Sequence, residues 1–158
     1  MATHTYNATF KARINIMKNL NLIKQAIFKV LHDDITLRGL LGEDGKIFHQ
    51  SPPQEVKYPC MTYECTDIDN PYDQDDSGGQ ITRTLAIINI FSDNVGTTES
   101  DNIEAQTKDL LHGKHHSLTN GSIICYSCYR TGMSNQRLDP ESHVWITVSA
   151  YRIGWATK

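Results

Sequence analysis

The sequence predicts an α+β fold: one mainly antiparallel sheet with two main helices packed on it, in a single domain covering residues 1–158. Three observations carry that expectation. The apolar period switches between two and 3.6 residues along the chain. The helical stretches are few and interrupt runs of strands instead of alternating with them. At 158 residues and 39% hydrophobic content, the chain is long enough for one core and short for two.

Residues 1–18 contain YNATFKARINI, in which Tyr6, Ala8, Phe10, Ala12, Ile14 and Ile16 alternate with Asn7, Thr9, Lys11, Arg13 and Asn15. A helical stripe through Tyr6, Phe10, Ile14 and Met17 would leave Ala12 and Ile16 unexplained, so the segment reads as an N-terminal strand or extended arm. From Leu20 the period changes. Leu20, Ile23, Ile27, Val30 and Leu31 share one helical face, Lys24 and Lys29 lie off it, and Asn19 or Asn21 can cap the helix. A short helical turn follows in DDITLRGLLG, starting at Asp33 or Asp34 and stopped by Gly42.

Lys46 to His49 reads as a short strand, and the prolines of SPPQEVKYP exclude a central strand there. In CMTYECT, Met61, Tyr63 and Cys65 alternate with Thr62, Glu64 and Thr66. The run QITRTLAIINIFS is apolar on both faces of its interior, which predicts a central strand covered above and below. TTESDNIEAQTKDLLHG is a helix with Ile103, Thr107, Leu110 and Leu111 as its buried stripe, Gly113 as its stop, and Thr98 and Asp101 near capping-box spacing. SIICYSCYR and HVWITVSAYRIGW close the chain as strands around a polar loop, Thr131 to Ser142. Only the passage through Thr97 to Leu111 permits a parallel crossover; the other connections favour antiparallel neighbours.

The formal net charge of −3 gives no overall attraction to nucleic acid or to an anionic membrane, but the charges are segregated. Met1 to Leu31 carries Lys11, Arg13, Lys18, Lys24 and Lys29 without an acid, whereas Asp67 to Asp76 is acidic without a base. Complementary contacts between copies and plain solvated faces both fit that pattern. No run reaches the roughly 20 apolar residues that span a bilayer, and no cleavable signal follows Met1, so a cytosolic protein without a membrane partner is expected. A mitochondrial presequence would want more Ser and Arg. The cysteines, Cys60, Cys65, Cys125 and Cys128, read as core thiols. A C-x-x-C laid along a strand points its sulfurs to opposite faces, where zinc knuckles need ligands that converge.

The acidic loop 67–80 holds Asp67, Asp69, Asp73, Asp75 and Asp76. Within it DQDDSG matches positions 1, 3, 5 and 6 of a calcium loop, but the position of the final bidentate Glu is Thr84, inside a strand. Carboxylate repulsion and Gly78-Gly79 suit a projecting loop better. His112, His115 and His116 follow a helix end, where cationic groups complement the carbonyl dipole, and a metal site would need further ligands. A metal-dependent enzyme would have to combine these histidines with the Asp67 to Asp76 loop. No nucleophile elbow, Walker loop, H-E-x-x-H or dinucleotide fingerprint occurs, and no nucleic-acid recognition signature, so no catalytic residue, metal ligand or cofactor is assigned. A cytosolic binding module remains a further alternative, without a pocket signal.

Several strings resemble the tail-completion and tail-terminator (tail-to-head joining) proteins of long-tailed bacteriophages. They are the early helix ending LRGLLG, KIF followed by PP, YPCMTYE, the passage TLAIINIFSDNVGTTESDNIEAQTKDLLHG and the closing HVWITVSAYRI, together covering about Leu20 to Ile153. The N-terminal strand and the long acidic loop depart from that pattern. The resemblance implies a structural virion protein, not an enzyme. Its homo-oligomeric ring, commonly a hexamer, would sit at the head-proximal end of the tail. There it would cap the tail tube protein and meet the head connector protein, while DNA passes through the lumen without specific binding. Another head-tail connector or a minor tail protein is the neighbouring alternative. In this setting Asp67, Asp69, Asp73, Asp75 and Asp76 are candidates for an assembly or lumen loop, and Lys11 and Arg13 for a basic face toward the next protomer.

Overall fold

The computed structural model describes residues 20–42, 46–68, 82–132 and 134–157. The N-terminal arm with Lys11 and Arg13, and Asp69, Asp73, Asp75 and Asp76 of the acidic loop, lie outside the described residues. Helix α1 covers residues 20–33, and Asn21 lies inside it and not at its cap. Ile23, Ala26, Ile27 and Leu31 are buried on one stripe, as the 3.6-residue spacing requires, each of the larger side chains contributing about 1.5–3 kcal/mol of burial. Helix α2 is Ile35–Leu41. Asp34 caps it, accepting a 2.7 Å hydrogen bond from the Leu37 amide, and Gly42 ends it at φ 88°, a conformation that favours glycine.

Strands β1 (Ile47–His49), β2 (Cys60–Asp67) and β3 (Thr82–Ser92) lead to helix α3 (Thr98–Leu111). A short 3-10 turn, His115–Leu118, precedes β4 (Ile123–Arg130), β5 (Asn135–Leu138) and β6 (Trp145–Thr157). They form one six-stranded sheet in the order β1-β2-β3-β6-β4, with β5 beside the first part of β6. The fold is thus α+β, mostly antiparallel, with three helices on the sheet.

Several expectations are corrected. The first strand pairs parallel to β2, because the proline-bearing stretch between His49 and Cys60 carries the chain back to the same end of the sheet. Strands β3 and β4 do run parallel across α3, yet they are not neighbours: β6 lies between them, antiparallel to both. The supposed polar loop 131–142 contains β5, whose residues Asn135, Gln136 and Arg137 hide a strand that β6 recruits by backbone pairing. Helix α3 is capped by Thr97, and no Thr98–Asp101 capping box forms; Asp101 instead accepts a hydrogen bond from Gln136 of β5.

The cysteine geometry differs as well. A β-bulge between Cys125 and Ser127 shifts the alternation, so Cys125 and Cys128 both turn into the core where a regular strand would separate them. All the cysteines are free thiols, raised by burial to about 11 for Cys60 and Cys125 and about 12 for Cys65 and Cys128.

The core lies between the helices and one face of the sheet. Ile23, Ile27 and Leu31 of α1 and Leu37 and Leu41 of α2 belong to the same buried cluster as Ile103 and Leu111 of α3, Met61, Ile88, Ile90 and Ile153. Beneath α3 the layer turns polar. Glu104 pairs with Arg130, and Ser149 and Tyr151 lie buried beside them, with burial pushing the Tyr151 hydroxyl up to about 12.

The outer edge of β4 is closed by the chain that precedes it. The Gly113 amide donates to the Cys128 carbonyl (2.7 Å), the Arg130 amide to His112 Nδ1 (3.1 Å) and the Cys125 amide to Thr119 Oγ1 (3.3 Å). These bonds occupy backbone groups that an exposed edge would offer to another strand.

Candidate functional site

On β3 burial alternates strictly: Thr84, Ala86, Ile88, Ile90 and Ser92 are buried, and Arg83, Leu85, Ile87, Asn89 and Phe91 are only partly so. The second set was expected to be covered like the first. All the described helices instead pack on the first face; along β3 and β6 the second stays partly exposed, while Cys60 and Thr62, on the same side of β2, are buried. Register places Leu85 opposite Arg152, Ile87 opposite Ala150, Asn89 opposite Val148 and Phe91 opposite Ile146 on β6. On the other side Ile87 meets Glu64, and Asn89 donates a 3.2 Å hydrogen bond to Thr62 Oγ1. An apolar field of Leu85, Ile87, Phe91, Ile146 and Val148 therefore occupies the centre of an open sheet face, with Arg83, Arg152, Arg137 and Glu64 around it. Apolar fields of this kind, rimmed by polar groups, mark association surfaces.

The sequence of β6 carries a signal for this face. Ile146, Val148 and Ala150 alternate with Thr147, Ser149 and Tyr151 on β6, so both sides of the central strands need cover while the helices suffice for one.

The acidic loop leaves the sheet between β2 and β3. Asp67, the one of its five aspartates among the described residues, is anchored: its Oδ1 accepts from Thr84 Oγ1 (2.9 Å), which in turn accepts from Trp155 Nε1 (2.9 Å). Thr84, the residue standing where a calcium loop requires its bidentate Glu, is thus a buried link in that chain. The anchor fixes the base from which Asp69, Asp73, Asp75 and Asp76 depart.

The histidines lie elsewhere. His112 accepts the Arg130 amide and meets the Tyr129 ring edge-on at 5.7 Å between centroids, while the His115 and His116 rings lie 4.0 Å apart. They sit outside β4, three strand spacings from β2, or about 14 Å. The structure therefore does not bring Asp67 together with His112, His115 or His116. Among the described residues no group of three or more His, Cys, Asp or Glu converges as a metal site.

Two clefts remain. One of about 400 Å³ runs between α1, α3 and the 3-10 turn, lined in part by Lys29, Asp33, Asp34 and Ser117. Asp34 is occupied there, capping α2 and accepting a 3.1 Å hydrogen bond from Gln106 Nε2. The other, about 340 Å³, lies over Lys24, Phe28, His49 and Tyr63; burial, then Lys24, holds the His49 pKa below its ordinary value. Neither presents a nucleophile paired with a base. No described helix is long and apolar enough to cross a membrane.

No protein family matches the chain, and no curated protein matches it in sequence. Its fold does match solved structures. A chain from the virion of a native gene transfer agent particle superposes with a TM-score of 0.65 at 14% identity, over 82% of this chain and 91% of that one. A second solved chain matches with a TM-score of 0.55 at 14% identity, over 87% and 94% of the respective lengths. At that identity the likeness is one of fold.

Proposed function

We propose that the protein is a structural component of a virion and, within it, a tail-terminator or tail-completion protein. It closes as a ring, a hexamer being the expected number, on the head-proximal end of the tail tube and joins the tube to the head connector. The observation that carries this reading is the apolar field on the helix-free face of the sheet, beside an edge closed at β4. Burying such a face in identical neighbours stabilises an assembly without any catalytic group, and heterologous contacts repeated by rotation give a ring. The sequence resemblance and the fold shared with a chain of a gene transfer agent virion support the same reading.

The work done is geometric, and no bond is made or broken. The acidic loops would project toward the lumen or the adjoining rings. Carboxylates lining a channel repel DNA phosphates and keep the genome from adhering during passage. Lys11 and Arg13 would face the acidic loop of the neighbouring protomer.

Native mass spectrometry over a concentration series, with and without calcium and zinc, tests the ring. The expected result is a hexamer indifferent to metal. A chain that stays monomeric alone and in the presence of purified tail tubes overturns the reading, as does a monomer that binds one metal ion tightly. Replacing Asp69, Asp73, Asp75 and Asp76 by Asn is expected to leave tails joined and to slow DNA ejection; unchanged ejection excludes the lumen role. Lys11→Glu with Arg13→Glu should weaken the ring, and Asp75→Lys with Asp76→Lys should restore it.

A further inference from the structure

The open sheet face has an occupant of matching size and pattern within this chain. Its apolar centre is built on β3 and β6, eleven and thirteen residues long. Tyr6 to Ile16 places Tyr6, Ala8, Phe10, Ala12, Ile14 and Ile16 on one side of an extended strand. At about 3.3 Å per residue such a strand spans roughly 36 Å, the length of β3.

We infer that the N-terminal arm of one protomer lies across the open face of the next, its apolar side on Leu85, Ile87, Phe91, Ile146 and Val148. This deepens the ring reading and rests on it.

Reach decides between the chain's own face and a neighbour's. The described part of α1 begins at Leu20, and α1 packs on the opposite side of the sheet: Leu22 is partly buried against the core, its carbonyl accepting from Asn120 Nδ2 at 3.5 Å. Ile16 stands four residues before Leu20 and extends at most about 14 Å from it. With a helix about 10 Å across, the path from its axis through the sheet to the far side-chain layer is about 15 Å even in a straight line, and longer around an edge. Ile16 therefore cannot rest on the far face of its own sheet, and Ile14, at most about 20 Å from Leu20, could do so only along a path straight through the strands. In a neighbour's sheet the whole stripe is usable, and Lys11 and Arg13 stay on the arm's other side, in a position to meet an acidic loop.

The full-length double variant Phe10→Cys/Val148→Cys, oxidised and run on a denaturing gel, tests this. The native thiols are buried or partly buried, and the wild-type chain under the same conditions serves as control. The expected product is a ladder of covalently linked chains ending at the ring number. A single chain closed on itself overturns the inference, as does a ring without linked chains. Residues 1–18 deleted, the chain should keep its circular dichroism and cooperative unfolding and lose the ring; a truncated chain that still forms the ring also overturns it. The two readings fail differently. A full-length chain that never forms a ring removes both, while an unlinked ring removes only the arm's placement.

Discussion

On the helix side of β3, Ala86, Ile88 and Ile90 are sealed against α1, α2 and α3; one residue along, Leu85, Ile87 and Phe91 point to the other side of the same strand and stay partly exposed. Composition does not distinguish the two sets. The difference lies in which side the helices occupy, and it separates two uses of hydrophobic surface. Apolar area on the inner face is removed from water when the chain folds, whereas area on the outer face is removed only when something else arrives.

Substitutions should divide along the same line. The largest loss is expected at Trp155, fully buried and bonded to Thr84: Trp155→Ala should cost about 3–5 kcal/mol in urea denaturation, against about 1 kcal/mol for Ile146→Ala on the outer face. Equal losses would break the comparison. Next comes Glu104→Ala, which leaves the Arg130 guanidinium without its partner at a site where the two side chains are only 13% and 16% exposed. A loss of about 3 kcal/mol is expected, largely recovered when Arg130→Met is added.

The thiols sharpen the comparison through pH. Burial raises each of the four above the ordinary value of 9.0, to about 11 or 12. Above pH 9 the unfolded chain holds fewer protons on them than the folded one, so their contribution is complete below pH 9 and is lost as pH rises toward 11–12. Denaturant midpoints should therefore fall steadily from about pH 9 to pH 11; a flat profile would mean that the thiols are not sealed. His112→Ala is expected to act locally. It removes the acceptor of the Arg130 amide, costing about 1 kcal/mol and speeding hydrogen exchange at that amide. Smallest in folding and largest in assembly should be Val148→Asp, which is expected to shift the unfolding midpoint by less than the equivalent of about 1 kcal/mol and to abolish rings seen by native mass spectrometry.

The helices were legible because their signals are local. The stripe of α1, the Asp34 and Gly42 ends of α2 and the Ile103–Thr107–Leu111 face of α3 are each set by residues within a few positions of one another. What escaped depends on distant partners. Asn135 to Leu138 have no strand character until β6 pairs with them, and the bulge before Ser127 arises where β4 meets Gly154, whose missing side chain makes room for Ser127 Oγ, 2.6 Å from where a Cβ would stand. The acidic loop was conspicuous in composition, yet its anchor, reaching from Asp67 to Thr84 and on to Trp155, is a contact between strands that no local pattern encodes. The open face was misread for a related reason: counting apolar residues on a strand shows that a face seeks cover, not whether its own chain supplies it.

The place of β6 has a consequence in time. It is the last of the described strands in chain order, yet it sits between β3 and β4 and also carries β5. A chain emerging from the ribosome presents β1, β2 and β3 as one fragment, and β4 and β5 have no sheet to join until Trp145–Thr157 is synthesised. Two of the five residues of the outward field, Ile146 and Val148, arrive with that same segment. If that face docks onto neighbours, as proposed above, a nascent chain would lack the complete docking surface until β6 is made.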